Sequence, residues 1–359
     1  MSKNSQFNEY TIKPMYKAIG LMSGTSLDGI DLAYLEFQKG RQWHADLKQC
    51  TTISYSKKWR QTLAELHREP IAIIRQTEME YSQLLGHYLN DFIQSHSLKP
   101  DIIASHGHTV WHQPEQGINL QIGDGRILHA MTKTPIVCDF RSQDVRLGGQ
   151  GAPLVPIGDE LLFGEYTYCL NLGGFSNLSF SKDGKRRAFD ICPANIALNH
   201  YAKKEGLAYD KKGQMARSGE LIPILLDHLN ALDYYQTKPP KSLGKEWFET
   251  VFLPVVEDFD RPNKDILRTL CEHIATQIAR ACPDGTTLVT GGGAHNSFLM
   301  ELISQESNSQ FEIPETKLVD YKEALIFGLL GVLNLRGEVN CLASVTGASR
   351  DSIGGLQFH

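Results

Sequence analysis

Apolar positions along the chain fall into two rhythms, one of strands and one of helices. Residues 16–21 and 29–37 are apolar runs on either side of the turn-rich MSGTSLDG, which reads as two strands joined by a tight loop. Helical spacing takes over at 57–67 and at 70–96, where Ile73, Ile74, Met79, Leu84, Leu85, Tyr88 and Phe92 recur near one face. Stretches at 101–104 and 135–140 predict short buried strands; between them 119–122 predicts another strand and 125–132 a short helix. RLGGQGAPLVP, at 146–156, has too many Gly and Pro residues for regular structure and is a loop leading into an apolar stretch at 157–163. Three strands follow at 167–172, 176–180 and 187–191, with a GG turn and a DG turn between them. Helices are predicted near 194–205, 219–231, 245–256 and 263–281. A strand at 286–290 runs into Gly291-Gly292-Gly293 and a helix, and a last helix covers 321–335.

Strands alternating with helices make the fold α/β. A chain of 359 residues exceeds what one ordinary core organises, so two domains are expected. Two glycine-rich hairpins, at 20–31 and 171–180, lie about 150 residues apart, and each opens its half of the chain. A duplicated α/β unit with a cleft between the halves is the economical explanation, although the halves share only this pattern. The expected division gives residues 1–133 and 345–359 to a first domain and 134–344 to a second.

Composition narrows the partners. A formal net charge of -5 gives no basic footprint for nucleic acid or for an anionic membrane surface. The leader MSKNSQFNEYTIKPMYK is polar, without the apolar core of a signal peptide, and no segment reaches the roughly 20 apolar residues of a membrane span. Seven scattered cysteines with no C-x-x-C pair fit reduced, buried thiols in a cytoplasm.

Six places along the chain are able to carry chemistry. In GLMSGTSLDGID (20–31), glycine beside small hydroxyl residues lets backbone N–H groups approach an anion, and Thr25 and Ser26 add donors. The order is neither that of a P-loop nor that of a Rossmann turn. Asp28 and Asp31 make sense beside a phosphate only with a divalent cation between, for which Mg²⁺ is the natural choice; a plain hairpin turn is the bland alternative. NLGGFSNLSF (171–180) repeats the device with Gly173, Gly174, Ser176 and Asn177, so that two hairpins can grip a phosphate chain. TLVTGGGAHN (287–296) offers a flat glycine surface at a helix start, suited to adenine or ribose, or else a tight turn. Asp190 stands at a strand's carboxyl end, where α/β sites gather, and is placed either to accept a proton or to cap the following helix. SHGHTVWHQ (105–113) brings His106, His108 and His112 close together, as a zinc site, a sugar contact or structure. DFRSQDVRLGGQGAP (139–153) adds Arg141 and Arg146, for a carboxylate or sugar hydroxyls, or for a surface ion pair.

In this order the pieces resemble the anhydro-N-acetylmuramic acid kinases, within the sugar kinase/Hsp70/actin superfamily. The resemblance rests on MSGTSLDGID (22–31), SHGHTV (105–110), DFRSQDVRLGGQGAPLVP (139–156), NLGGFSN (171–177), GGGAHN (291–296), YKEALIFGLLG (321–331) and VTGAS (345–349). The family's D-T-G-P-x-N segment is matched here by Asp190-Ile191-Cys192-Pro193-Ala194-Asn195, with Ile and Cys replacing Thr and Gly, and His108 stands where the family usually has Gln. The resemblance implies a two-domain, duplicated actin/Hsp70/sugar-kinase-like fold with an interdomain cleft, using ATP and Mg²⁺. It implies ATP and phosphate contacts at Gly24, Thr25, Ser26, Leu27, Asp28, Gly29, Ile30, Asp31, Gly173, Gly174, Ser176, Asn177, Gly291, Gly292, Gly293 and Asn296, with Mg²⁺ near Asp28 and Asp31. Asp190 would be the catalytic base, and Ser23, His108, Arg141 and Glu323 would meet the sugar. The implied reaction opens 1,6-anhydro-N-acetylmuramic acid with water and phosphorylates O6, giving N-acetylmuramic acid 6-phosphate and ADP in peptidoglycan recycling. A homodimer without nucleic-acid or membrane partners is expected. The alternatives are a kinase of the same fold acting on another amino sugar, a nucleotide-dependent switch, and a zinc hydrolase built on the histidines.

Overall fold

A computed structural model of the chain describes residues 13–24, 27 and 29–359. Thirteen strands can be numbered in chain order: β1 Met15–Met22, β2 Gly29–Lys39, β3 Trp43–Ser54, β4 Ile102–Ser105, β5 His108–Gln113, β6 Ile118–Ile122, β7 Ile136–Cys138, β8 Tyr168–Leu172, β9 Phe175–Lys182, β10 Lys185–Pro193, β11 Thr286–Thr290, β12 Gln310–Glu312 and β13 Leu356–Phe358. They form a six-stranded sheet, a five-stranded sheet and the β5–β6 ribbon.

The chain divides into two compact units. The first contains residues up to Leu162 together with Glu323–His359, and its sheet runs β13-β7-β4-β1-β2-β3. β1, β2 and β3 form an antiparallel meander, while β4 and β7 continue from β1 in parallel. Helix Ile71–Ser95 buries Ile74, Tyr81, Leu85, Leu89 and Phe92 against Ile19, Leu21, Ile30, Leu32 and Ile103 of this sheet. Each such side chain contributes about 2 kcal/mol by leaving water. The residues Glu323–Leu335 of helix Thr316–Leu335 also lie on this sheet, closely enough that a Cβ on Gly20 would sit 1.8 Å from the Ala324 carbonyl oxygen.

The second unit is Phe163–Lys322, with sheet order β10-β9-β8-β11-β12. Again a meander (β8, β9, β10) is followed by two parallel strands. The same plan therefore occurs twice, with β13 as an extra edge strand in the first copy. Helix Asn263–Ala281 buries Ile266, Leu267, Leu270, Ile274 and Ile278, at helical spacing, in one core with Leu170, Leu172, Leu178 and Val289.

The division corrects the boundaries drawn from sequence. Residues 134–162 and 323–344 belong to the first unit, because β7 pairs with β4 (Ile103 opposite Ile136) and the end of helix Thr316–Leu335 packs on β1. Among the described residues no helix is long and apolar enough to cross a membrane.

Candidate active site

The second unit carries the carboxylate. Asp190 sits near the end of β10, level with Asn177 on β9, which in turn faces Asn171 on β8, so three polar residues form a row across the strands. Asp190 Oδ2 accepts a hydrogen bond from the Leu243 N–H at 2.8 Å, whereas among the described residues nothing donates to Oδ1. Burial raises its pKa above the ordinary carboxylate value, and the Leu243 N–H partly opposes this. A register shift between Asp190 and Cys192 turns the next two residues inward: Ile191 is 3% and Cys192 0% exposed. The departure from the D-T-G-P-x-N pattern is thereby absorbed by the core.

Between β8 and β9, the carbonyls of Gly173 and Gly174 accept from the N–H groups of Ala194, Asn195 and Ile196, which start helix Asn195–Lys204. That helix start is therefore already satisfied. The N–H groups of Gly173 and Gly174 themselves have no backbone acceptor among the described residues, and Gly174 is exposed. Two such free donors on a turn fit a phosphate oxygen. Ser176 lies differently from the sequence expectation. It is fully buried, and its hydroxyl donates to the Cys192 carbonyl and accepts from the Cys192 N–H, so it braces the strand end and does not reach a phosphate.

The glycine triplet after β11 packs on the end of β8. Gly291 has φ of 84°, and a Cβ there would fall 2.4 Å from Asn171 Oδ1 and 2.9 Å from the Leu172 carbonyl carbon. Gly293 meets Leu172 in the same way, while Gly292 is exposed with room above it. Two of the three glycines are thus required by the protein's own packing, and Gly292 is left as the surface for a ring. Asn296 is the N-cap of helix Ser297–Glu306, with Oδ1 accepting from the Leu299 N–H, so its oxygen is engaged in the cap. Asn171 escaped the sequence reading: it lies beside both Gly173 and Gly291 and joins the two turns.

In the first unit, Thr25, Ser26 and Asp28 lie outside the described residues. Leu27 has a φ of 58° and donates its N–H to the Gly24 carbonyl at 3.3 Å. Gly29 is explained by β3, since a Cβ would stand 2.6 Å from the Ile53 oxygen, and the Ile30 side chain is in the core, not at a phosphate. Asp31 Oδ1 accepts from the Thr52 hydroxyl at 2.6 Å. Ser23, expected to meet a sugar, is fully buried. Its hydroxyl closes a ring with those of Tyr55 and Tyr81 at 2.6, 2.7 and 2.9 Å.

A polar cluster forms where β4, β5, β6 and Arg141 meet. His106 Nδ1 bonds the Gly107 carbonyl at 2.8 Å, so Nε2 is the acceptor for the Arg141 guanidinium, also at 2.8 Å. Burial first, and then the Arg141 charge, hold His106 down to about 3, so it is neutral. Arg141 also donates to the Gly151 carbonyl, which fixes the 139–153 loop, and the Glu323 charge acts on it. Burial pushes His108 down to about 4. Four buried atoms here lack partners: Ser105 Oγ, His108 Nδ1, Gln121 Oε1 and Arg141 Nε. Orphaned polar atoms gathered in one place fit a polyhydroxyl ligand. Gln121 was not singled out from sequence, and nothing local marks it, whereas His106 was named there as one of three clustered histidines.

The zinc reading fails on the same geometry. Among the described residues no three His, Cys, Asp or Glu side chains converge to hold a metal, and His106 faces a cation. For Mg²⁺ this is no obstacle, because that ion keeps several waters and takes one or two carboxylates plus phosphate oxygens. Asp31, half-exposed at the loop's end, fits such a role.

A strand-end carboxylate beside glycine turns with free N–H donors, on a duplicated α/β plan, defines a phosphotransferase. The family model described as anhydro-N-acetylmuramic acid kinase matches residues 16–359, and this chain belongs to that family. The anhydro-N-acetylmuramic acid kinase of Nitrosospira multiformis is 34% identical over 352 residues, covering 92% of this chain and 95% of that relative. Those of Aliivibrio fischeri, at 35% (94% and 97% covered), and Colwellia psychrerythraea, at 34% (98% and 99% covered), are similarly related.

Proposed function

We propose that this chain uses ATP to open 1,6-anhydro-N-acetylmuramic acid and phosphorylate its O6, yielding N-acetylmuramic acid 6-phosphate and ADP for cell-wall recycling. Membership of the family over residues 16–359 carries this reading, and Asp190 gives it a mechanism. The substrate has no free 6-hydroxyl, because O6 is bonded to C1. Asp190, anchored through Oδ2, takes a proton from a water at Oδ1, and the water oxygen bonds C1. The C1–O6 bond breaks with its electrons on O6, which bonds the γ-phosphorus as ADP leaves. A raised pKa suits Asp190 to the task, since it makes the carboxylate a stronger base than an ordinary aspartate.

In the second unit the Gly173 and Gly174 N–H groups, Asn177 and Gly292 are our choices for ATP contacts. In the first unit, the segment 24–31 is our choice for phosphate contacts. Bound Mg²⁺, near Asp31, would supply charge neutralisation on the phosphates, which is most of what phosphoryl transfer needs. Arg141, with its unpartnered Nε, and Glu323 are our choices for the lactyl carboxylate and a sugar hydroxyl. No disulfide joins the seven cysteines, which fits a reducing cytoplasm, and a homodimer is the expected assembly.

Asp190→Asn is the test. Turnover is expected to fall by about 10²–10⁴-fold with ATP affinity by calorimetry unchanged. A variant of near-parental turnover contradicts the assignment.

A further inference from the structure

One segment far along the chain reaches back to Asp190 with three hydrogen bonds. The Tyr234 hydroxyl donates to the Asp190 carbonyl at 2.5 Å. The Asp190 N–H donates to the Lys241 carbonyl at 3.3 Å. The Leu243 N–H donates to the carboxylate itself at 2.8 Å. The segment is also tied to itself: Lys241 Nζ donates to the Tyr234 carbonyl at 2.9 Å and lies 4.3 Å from the centre of the Tyr234 ring. Both backbone groups and one carboxylate oxygen of a single residue are thus held by one strap.

Nothing in ordinary strand geometry requires this. Asp190 lies on β10, whose neighbour is β9, and a register shift follows it, so the ladder is weakest where the strap attaches. We infer that residues 234–243 are a positioning clamp for Asp190, in which the Leu243 N–H selects the carboxylate oxygen that stays anchored and Tyr234 fixes the backbone beneath it. The inference rests on Asp190 being the base. By occupying Oδ2, the Leu243 N–H leaves Oδ1 as the proton acceptor, and a carboxylate with one fixed oxygen cannot rotate away from its water. Three titratable groups pack around Asp190 on the two elements: Cys192, Tyr234 and Lys241. Burial pushes the Cys192 thiol up to about 12 and raises the Tyr234 phenol too, so neither ionises near neutral pH. Burial lowers Lys241, whose deprotonation belongs to the alkaline side of a profile. The acid limb is then Asp190's own.

The test compares pH profiles of kcat for the full-length enzyme at saturating ATP and sugar. Leu243→Pro removes the N–H and is expected to move the acid limb upward by roughly one to two pH units, because the ionised form loses its donor. Leu243→Ala keeps the N–H and is expected to keep the limb in place. Tyr234→Phe does not touch the carboxylate. It is expected to lower kcat about tenfold with both KM values and the acid limb unmoved. A folded Leu243→Pro enzyme with the parental limb, or a Tyr234→Phe enzyme with parental kcat, overturns the clamp. Should Leu243→Pro fail to fold, Tyr234→Phe decides alone. Asp190→Asn assayed in parallel separates the two claims: if it stays active the base assignment falls, whereas if it is inactive and the variants are parental, only the clamp falls.

Discussion

At the scale of single residues, the site is built on groups held against their own preference. Asp190 lies where burial disfavours its charged form, and its folded-state pKa is above its unfolded one. A group shifted in that direction supports folding below its unfolded pKa, and the support is lost as pH rises through the folded value. Asp190→Asn is therefore expected to melt above the parent at neutral pH, with the gap closing below about pH 4; equal melting at both pH values would show that the carboxylate carries no such strain. The position of Asp190 near a strand's carboxyl end could be read from sequence, because the alternation of strand and helix around it is regular. Ser23, Ser176 and Asn296 show what could not be read. Each is a polar residue within three positions of a glycine, and each is turned inward to serve a tyrosine pair, a strand end or a helix cap. Burial of a hydroxyl leaves no trace in its neighbours along the chain. Gln121 and Asn171 illustrate the converse, since their contacts reach residues distant in sequence.

At the scale of elements, close approach explains glycines in two of the recognised motifs. Gly20, Gly328 and Gly331 let helix Thr316–Leu335 lie against β1, β2 and β4, with Ala324, Leu35 and Ala104 as the nearest contacts. Gly20→Ala is expected to destabilise the protein by at least about 3 kcal/mol, read by chemical denaturation; a loss under about 1 kcal/mol would mean that the helix can withdraw. Beneath the first glycine loop, Tyr81→Phe breaks the ring of hydroxyls and leaves Ser23 and Tyr55 short of a partner. A loss of about 1–3 kcal/mol is expected, and none if water replaces the phenol. The long strands β1 and β2, helix Ile71–Ser95 and helix Asn263–Ala281 were legible because their apolar residues keep one period over many turns. β3 was not, because WHADLKQCTTIS is an edge strand, largely exposed and rich in polar residues. The predicted helix at 245–256 is present as one continuous helical run over 245–257, widened by a single π-helical turn at Phe248–Phe252.

At the scale of the whole molecule, duplication was visible in outline from two hairpins, and the common sheet order gives it substance: meander first, two parallel strands after, in both units. The boundary between units was not legible, because β7 is three residues long and only its pairing with β4 assigns it. Each unit also buries neutral histidine. His106 and His273 are held down to about 3 and His108 to about 4, in each case chiefly by burial. All three lie below the unfolded value, so the stability they contribute is present above about pH 6.5 and is lost as pH falls toward the folded values. Below pH 6.5 stability should decline by up to about 1.4 kcal/mol per pH unit for each histidine, in denaturant titrations; a flat profile to pH 4 would show them protonated in the fold. The central claim concerns the sugar. ATP consumption is to be measured side by side with 1,6-anhydro-N-acetylmuramic acid, with N-acetylglucosamine and with no sugar. The account predicts ADP release coupled to N-acetylmuramic acid 6-phosphate with the anhydro sugar alone. Comparable turnover with N-acetylglucosamine, or ATP hydrolysis independent of any sugar, would contradict it.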